Sequence, residues 1–360
     1  MKKIIYSVLV SATIVSLLIQ CKRSKSPINR EIQQNLTVQD SIQIFSDSLF
    51  SKLKKNYLFT DNVSWSTIKN SFEENALASS TFEESLKNSK DVFDSIECDH
   101  CMLFSENGFY PATQKKSLLY KDYSYEFSLK HSQGVAFSAS KLNDAYGYII
   151  IPKMLFLDLS QEELNAKAQE MYDKIVMLNK NNDLKGWIID LRFNTGGDSY
   201  LLINALQHLL GDKVVYNELN IHKEIEKVNK LENGKFYSGE KIKIQVETTY
   251  KNPDITTPVA LIIGNWTASA GETIVLAFDG RENVIKIGEP TYGHLTGNDL
   301  FELPFNIKAP LTTVYLSNMY GNYSENLDPD IYVKEENCNF KNLLKDQNII
   351  EAIRFIDSKK

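Results

Sequence analysis

The chain has 360 residues, of which 42% are apolar and 24% charged. That length and balance support a large buried core and exclude a disordered chain, and length alone suggests two domains. The formal net charge of −6, with Lys and Arg scattered apart from a cluster at residues 22–25, gives no electrostatic footprint for nucleic acid.

The first predicted element is a targeting segment. Lys2 and Lys3 precede an apolar run from Ile4 to Ile19. The run is too short and too close to the start for a membrane-spanning helix. Leu18-Ile19-Gln20-Cys21 resembles a bacterial lipoprotein cleavage box. That resemblance makes residues 1–21 a lipoprotein signal peptide and Cys21 the lipidated N-terminus. It implies export to the cell envelope, at the outer membrane or its periplasmic face, and a lipid tether to the membrane. An uncleaved N-terminal anchor is the alternative. Residues 22–39 are polar and read as a tether.

Residues 40–116 are expected to form a small helical domain. Ile42, Phe45, Leu49 and Leu53 share one face at helical spacing, and Ser64 to Phe72 is a second, shorter candidate. Thr81-Phe82-Glu83-Glu84 has the form of a capping box, with Phe82, Leu86, Phe93 and Ile96 extending the apolar face behind it. Cys98-Asp99-His100-Cys101 follows. Together with Cys338 this leaves three cysteines beyond Cys21, an odd set that does not make a disulfide framework. The tetrad has the spacing of half a metal site or of a redox pair. No second ligand cluster with zinc spacing accompanies it, so no metal is expected.

Residues 117–345 read as an α/β domain and 346–360 as a C-terminal helix or tail. Ser117 to Leu129, Gly134 to Ser140 and Ala145 to Ile151 are aromatic or β-branched runs that fit strands. Ser160-Gln161-Glu162-Glu163 opens an amphipathic helix through Leu164, Ala168, Met171, Ile175 and Leu178. A buried-strand pattern from Gly186 then ends in Asp190 and Arg192. It is followed by Gly196-Gly197 and an apolar helix from Tyr200 to Leu210. Strands are expected around Val214 and Ile242, and later near Ile285, Leu300 and Val314. Between them, the apolar run Val259 to Ile263 meets the small-residue turn Thr267-Ala268-Ser269-Ala270-Gly271-Glu272 and a helical pattern from Ile274 to Phe278. A strand feeding a helix puts Ser269 at a helix N-terminus, where unpaired N–H groups can hold a developing oxyanion. Ser269 is thus a candidate nucleophile, and a plain N-cap is the competing reading. The alternation of strands and helices argues for an α/β domain.

Three segments carry a resemblance. They are Ile189-Asp190-Leu191-Arg192-Phe193-Asn194-Thr195-Gly196-Gly197, Ser269-Ala270-Gly271-Glu272, and Gly288-Glu289-Pro290-Thr291-Tyr292-Gly293. In this order they resemble the tail-specific, or C-terminal processing, serine peptidase family, over residues 93–333. The resemblance implies a crotonase/ClpP-like arrangement of stacked β-β-α units. Many members carry a PDZ domain before this core. The stretch between His100 and Tyr146 is too short for one, so the usual reader of substrate tails is not expected. The tail-specific branch has a lysine where this chain has His294. The tricorn-like branch instead pairs serine with an upstream histidine and a late glutamate. Asp99-His100 matches the place of that histidine, and Glu325, before Pro329-Asp330, is the nearest candidate for the glutamate. His100 is favoured as base, with His294 as the rival. His294, Glu272 and Thr291 are expected at the cleft, Glu272 in the first helical turn. The oxyanion donors implied are the N–H of Ala270 and that of Gly196 or Gly197. His131, His208 and His222 read as structural or solvated. The activity implied is that of an exported, membrane-anchored serine endopeptidase acting on peptide or protein substrates through an acyl-enzyme, with no metal or organic cofactor and no nucleic acid partner. Because the lysine is lost, a catalytically inactive apolar-ligand or peptide-binding protein on the same fold is the alternative.

Overall fold

Apolar residues at helical spacing open the described chain. A computed structural model describes residues 36–114, 116, 123–180, 182–248 and 253–359; the expected signal segment with Cys21 lies outside these. Helix α1 (Val38–Asn56) starts at Thr37, whose hydroxyl accepts the Asp40 N–H while the Asp40 carboxylate accepts the Thr37 N–H. It buries Ile42, Phe45, Leu49 and Leu53. Helices α2 (Trp65–Leu77), α3 (Phe82–Ser85) and α4 (Ser89–Ser95) complete the group. Their apolar face is not closed by helices alone. Leu303, Ile307, Ala309 and Leu311, from strands late in the chain, belong to the same core. Full burial of a side chain such as Leu303, Ile307 or Leu311 contributes about 1.5–3 kcal/mol, which seats the helices on the sheet.

Two sheets form the remainder. One runs β2-β1-β13-β6-β7-β8-β9, with β12 also on β13. It is built from β1 (Met102–Phe104), β2 (Phe109–Pro111), β6 (Lys213–Leu219), β7 (Ile225–Glu232), β8 (Lys235–Ser238), β9 (Lys241–Gln245), β12 (Thr296–Leu303) and β13 (Ile307–Ser317). The other runs β14-β11-β10-β5-β4-β3. Its strands are β3 (Ser138–Leu142), β4 (Tyr146–Ile150), β5 (Gly186–Asp190), β10 (Val259–Ile263), β11 (Val284–Gly288) and β14 (Ile331–Tyr332). All are parallel except β3. Parallel strands covered on both faces need apolar side chains on both. Accordingly Trp187, Ile189, Val259, Leu261 and Ile263 enter one core, and Ile188, Ala260 and Ile262 enter the opposite one. The first core is covered by α6 (Gln161–Lys180), α7 (Ser199–Ala205) and α9 (Ala270–Ala277), the second by α10 (Gln347–Asp357). The expected Tyr200–Leu210 helix is broken after Ala205 and resumes as α8 (Gln207–Leu210).

One expected strand is corrected. Within Ser117 to Leu129, residues 117–122 lie outside the described set, and the remainder enters helix α5 (Tyr125–Ser132). Ser124 caps that helix by accepting the Phe127 N–H at 3.1 Å. Phe127 then stacks on Phe193 at 4.6 Å between centroids, so the aromatic run packs as a helix face and not as a strand.

Asp190 and Arg192 serve the fold. Arg192 is buried and reaches Asp190 through Nε at 3.0 Å and Nη2 at 2.7 Å, and Asp346 through Nη1 at 2.9 Å. Asp346 also caps α10 through the N–H groups of Asn348 and Ile349. The network pins the C-terminal helix to the end of β5. Asp346→Ala leaves Arg192 on Asp190 but takes the acceptor from its Nη1 and the cap from α10, so it should cost about 1–3 kcal/mol. Urea unfolding of the pure variant checks this, and an unchanged midpoint would refute it.

Candidate active site

The loops leaving the carboxyl ends of β5, β10 and β11 meet at one edge of the parallel sheet, where ligands bind in open α/β sheets. They bring Gly196 and Gly197, Ser269, and His294 together. The fourth contributor comes from the other side of the cleft: the turn before β1, with His100. A cleft of about 630 Å³ is lined by all five and by Ala270 and Thr296. That volume suits a ligand of small-peptide size.

Ser269 has φ +52° and ψ −112°. A non-glycine residue in this region costs on the order of 1–3 kcal/mol and persists only when its surroundings over-determine it. Here they do. The Ser269 N–H donates to Glu272 Oε2 at 2.8 Å, and its carbonyl accepts from Thr273 N and Oγ1. Ala268 N–H donates to the Asn194 carbonyl, and a side chain on Gly271 would meet that same carbonyl at 2.7 Å. Thr267 Oγ1 donates to the Leu191 carbonyl at 3.0 Å. The turn is therefore stitched to the end of β5. A sharp strand-to-helix turn of this kind projects the serine hydroxyl outward.

Glu272 ties this turn to the third segment. Its carboxylate is fully buried and accepts from Ser269 N, Thr291 Oγ1, Gly293 N and His294 N at 2.6–2.9 Å. Burial raises its pKa, and the donors from Thr291, Gly293 and Ser269 oppose that rise. Thr291 Oγ1 in turn accepts the Leu327 N–H at 2.9 Å. Glu272 and Thr291 thus stand behind Ser269 and hold the loop that carries His294.

His100 Nε2 lies 3.1 Å from Ser269 Oγ, and its Nδ1 lies 2.8 Å from Thr296 Oγ1. Its carbonyl accepts from Asn298 Nδ2 at 2.7 Å. His294 stacks on the His100 ring, with centroids 4.3 Å apart and planes at 16°. Its Nε2 points to Asp99 Oδ2 at 3.3 Å. Burial pushes the His100 pKa well below the ordinary imidazole value; His294 adds to this and Asp99 opposes it. Neutral imidazole with Nδ1–H donating to Thr296 leaves Nε2 free to accept the serine proton.

One expectation is corrected by this geometry, and the choice between Gly196 and Gly197 is narrowed. Glu325 does not stand on His100: the hydroxyl of Thr296, first residue of β12, occupies that position. Glu325 is exposed. The loop that carries it docks through backbone, with Leu327 paired to Thr291 in both directions and the Glu325 carbonyl against Gly293. Gly196, at φ +123°, has its N–H engaged by Asn194 Oδ1 at 3.0 Å. Among the described residues no acceptor is paired with the N–H of Gly197 or of Ala270. Gly197, at φ +130°, cannot carry a side chain, because a Cβ would fall 1.9 Å from the Met154 carbonyl.

Of the two readings of the Cys98–Cys101 spacing, the pair is the one formed: the two are joined in a disulfide, and Cys338, the odd cysteine, is free and buried. Thr296 and Asn298 are short polar residues without a motif of their own, and nothing in the sequence singles them out.

Comparison with known proteins agrees with this architecture. Residues 145–333 match peptidase family S41. A nisin-resistance protein of Lactococcus lactis subsp. lactis is 31% identical over 157 residues, covering 43% of this chain and 48% of that protein; the chain spans about half the length of this curated relative. A lipoprotein from Streptococcus agalactiae superposes with a TM-score of 0.64 at 19% identity, over 89% of this chain and 97% of that one. The photosystem II D1 C-terminal processing protease superposes with a TM-score of 0.52 at 12% identity, over 88% and 97%. The match to the family spans the strands β4, β5, β10 and β11, the Ser269 turn and the loop that carries His294, and on it the chain belongs to peptidase family S41.

Proposed function

We propose that the chain is a serine endopeptidase with Ser269 as nucleophile and His100 as general base. The observation that carries this reading is the 3.1 Å approach of Ser269 Oγ to His100 Nε2, on a strained turn beside unpaired amide donors. Ser269 Oγ attacks the scissile carbonyl carbon as Nε2 takes the hydroxyl proton. The carbonyl oxygen becomes an oxyanion held by the N–H groups of Gly197 and Ala270. The imidazolium then protonates the leaving amine as the C–N bond breaks. Water attacks the acyl-enzyme with the same groups in reverse order. Thr296 fixes the tautomer and ring orientation. Being uncharged, it adds no anion to stabilise the imidazolium; Asp99 supplies the nearby negative charge. Glu272 keeps the serine turn in place.

The stacked His294 ring, aimed at Asp99, supports a supporting role for it and not that of the base. The relative's name brings nisin resistance to this reading, and cleavage of an antimicrobial peptide is the substrate class that follows. Digestion of a peptide library and of nisin, with wild type and Ser269→Ala side by side, tests the proposal by mass spectrometry. Identical digests would sink it. A fluorophosphonate probe separates enzyme from binder, since a catalytically inactive binding protein on this fold should not label at Ser269.

The second part of the reading is the anchor. Cys21 carries lipid and the mature chain stays with membranes, on the apolar run ending at Gln20-Cys21 and the polar stretch behind it. Detergent phase partitioning should send wild type to the detergent phase and Cys21→Ala to the aqueous phase. Equal partitioning would refute the anchor.

A further inference from the structure

His100 and the carboxylate that faces its stacked partner His294, Asp99, sit at the tip of one small loop. Helix α4 ends with Glu97 at φ +57° and the Cys98 N–H on the Phe93 carbonyl. The chain then turns over Cys98-Asp99-His100-Cys101, closed by the Cys101 N–H on the Cys98 carbonyl at 3.1 Å and by the disulfide, with Cα atoms 5.3 Å apart. This is a β-turn with a covalent clamp across its ends. Its two central residues are Asp99, which faces His294, and His100, which faces Ser269.

The clamp is connected to the reacting atoms by contact. Both sulfurs are buried, and Thr312 Oγ1 lies 3.3 Å from Cys98 Sγ and 3.9 Å from Cys101 Sγ. Thr312 Oγ1 donates to Asn298 Oδ1 at 2.9 Å, and Asn298 Nδ2 donates to the His100 carbonyl at 2.7 Å. The disulfide therefore rests on β13 and braces the backbone of His100 from behind.

We propose that the Cys98–Cys101 disulfide is a positioning device for His100, so that turnover requires the oxidised pair. The inference rests on the serine-peptidase reading for its kinetic consequence, and on the turn's geometry alone for its structural one. Opening the clamp lets the turn relax and the His100 ring leave the slot between Ser269, Thr296 and His294. A displacement near 1 Å at a reacting group costs about 100-fold in rate. A dithiol such as dithiothreitol opens it by exchange: two electrons and two protons pass to the cysteine sulfurs, and dithiothreitol leaves as its cyclic disulfide.

The test uses the mature chain as wild type, as wild type with both thiols shown by alkylation and mass to be reduced, and as Cys98→Ser/Cys101→Ser. In both opened forms kcat should fall about 10- to 100-fold, KM should move less than about threefold, and reoxidation should restore the wild type but not the double variant. Wild-type kcat in the double variant would overturn the proposal. So would loss of cooperative melting in both opened forms, which would assign the clamp to folding. An arm free of turnover is the imidazole titration by NMR. The groups facing His100 are His294, Asp99, Thr296 and Ser269. In the oxidised chain its titration should lie below about 6.5, and in the double variant it should rise toward that ordinary value. An unchanged titration would overturn the positioning role. Absence of turnover in oxidised wild type, with the titration moving as expected, would sink the peptidase reading and leave the clamp standing.

Discussion

Ser269→Ala should abolish turnover, with kcat reduced by about 10⁴- to 10⁶-fold, while the fold survives. On the proposed mechanism the loss is large because serine and imidazole act as one unit: without Oγ no acyl-enzyme forms, and the amide donors and cleft alone would supply only residual catalysis. The fold survives because the Ser269 side chain meets His100 across the cleft, while the turn is held by its backbone. The N–H on Glu272 and the carbonyl under Thr273 remain in the variant. Alanine is as strained as serine at φ +52°, so the backbone term cancels between the two proteins. The expected change in stability is within about 1 kcal/mol, the scale of a lost cap. Steady-state kinetics beside thermal melting make the comparison. Wild-type rates in the variant would remove Ser269 from the chemistry.

The parts of the fold that were legible from sequence are those in which one short segment carries its own physical signature. β5 and β10 are continuous apolar runs because both faces of a parallel sheet are covered. The helix after Ser160 was readable because its capping box and its periodic face agree: Ser160 N–H reaches Glu163 Oε2 at 2.7 Å, and Ala168, Met171 and Ile175 are buried. Asn233-Gly234, between β7 and β8, has positive φ at both residues, 51° and 77°, as a two-residue hairpin turn requires.

What stayed hidden depends on distance in the chain. His100 and Ser269 are 169 positions apart, and no spacing rule spans that interval; only the family resemblance paired them. The same resemblance led to Glu325, because a late glutamate is a sequence feature and a threonine at the start of β12 is not. Thr296 becomes visible only when β12 is laid beside the His100 turn. The odd cysteine count left the Cys98–Cys101 pair as only one of two readings, because Cys338 packs as a small apolar residue near Ser124, away from the pair. The aromatic run before residue 132 misled because β propensity measures fit to a half-buried surface, and here a helix face with Phe127 provides one.

The choice of base separates the two histidines sharply. His100→Ala should cost nearly as much as Ser269→Ala, because removing either member of a nucleophile–base unit disables both. His294→Ala should cost about tenfold. It removes the ring stacked on His100 and the contact with Asp99, and so loosens the base without removing it. The pH dependence carries the same assignment. Burial first, and His294 second, hold the His100 pKa well below its ordinary value, against the pull of Asp99. The base works neutral, so kcat/KM is lost as pH falls through that lowered pKa and is constant above it. The rising limb of the profile should therefore lie below pH 6.5, the ordinary imidazole value being about 6.5, and not between 6.5 and 7.5. In His294→Ala one opposing ring is gone, so the limb should move upward. Asp99→Asn removes the group that favours the imidazolium, so there it should move further down. Profiles of kcat/KM for the wild type and these two variants measure all three positions. An inactive His294→Ala beside a near-normal His100→Ala would transfer the base to His294.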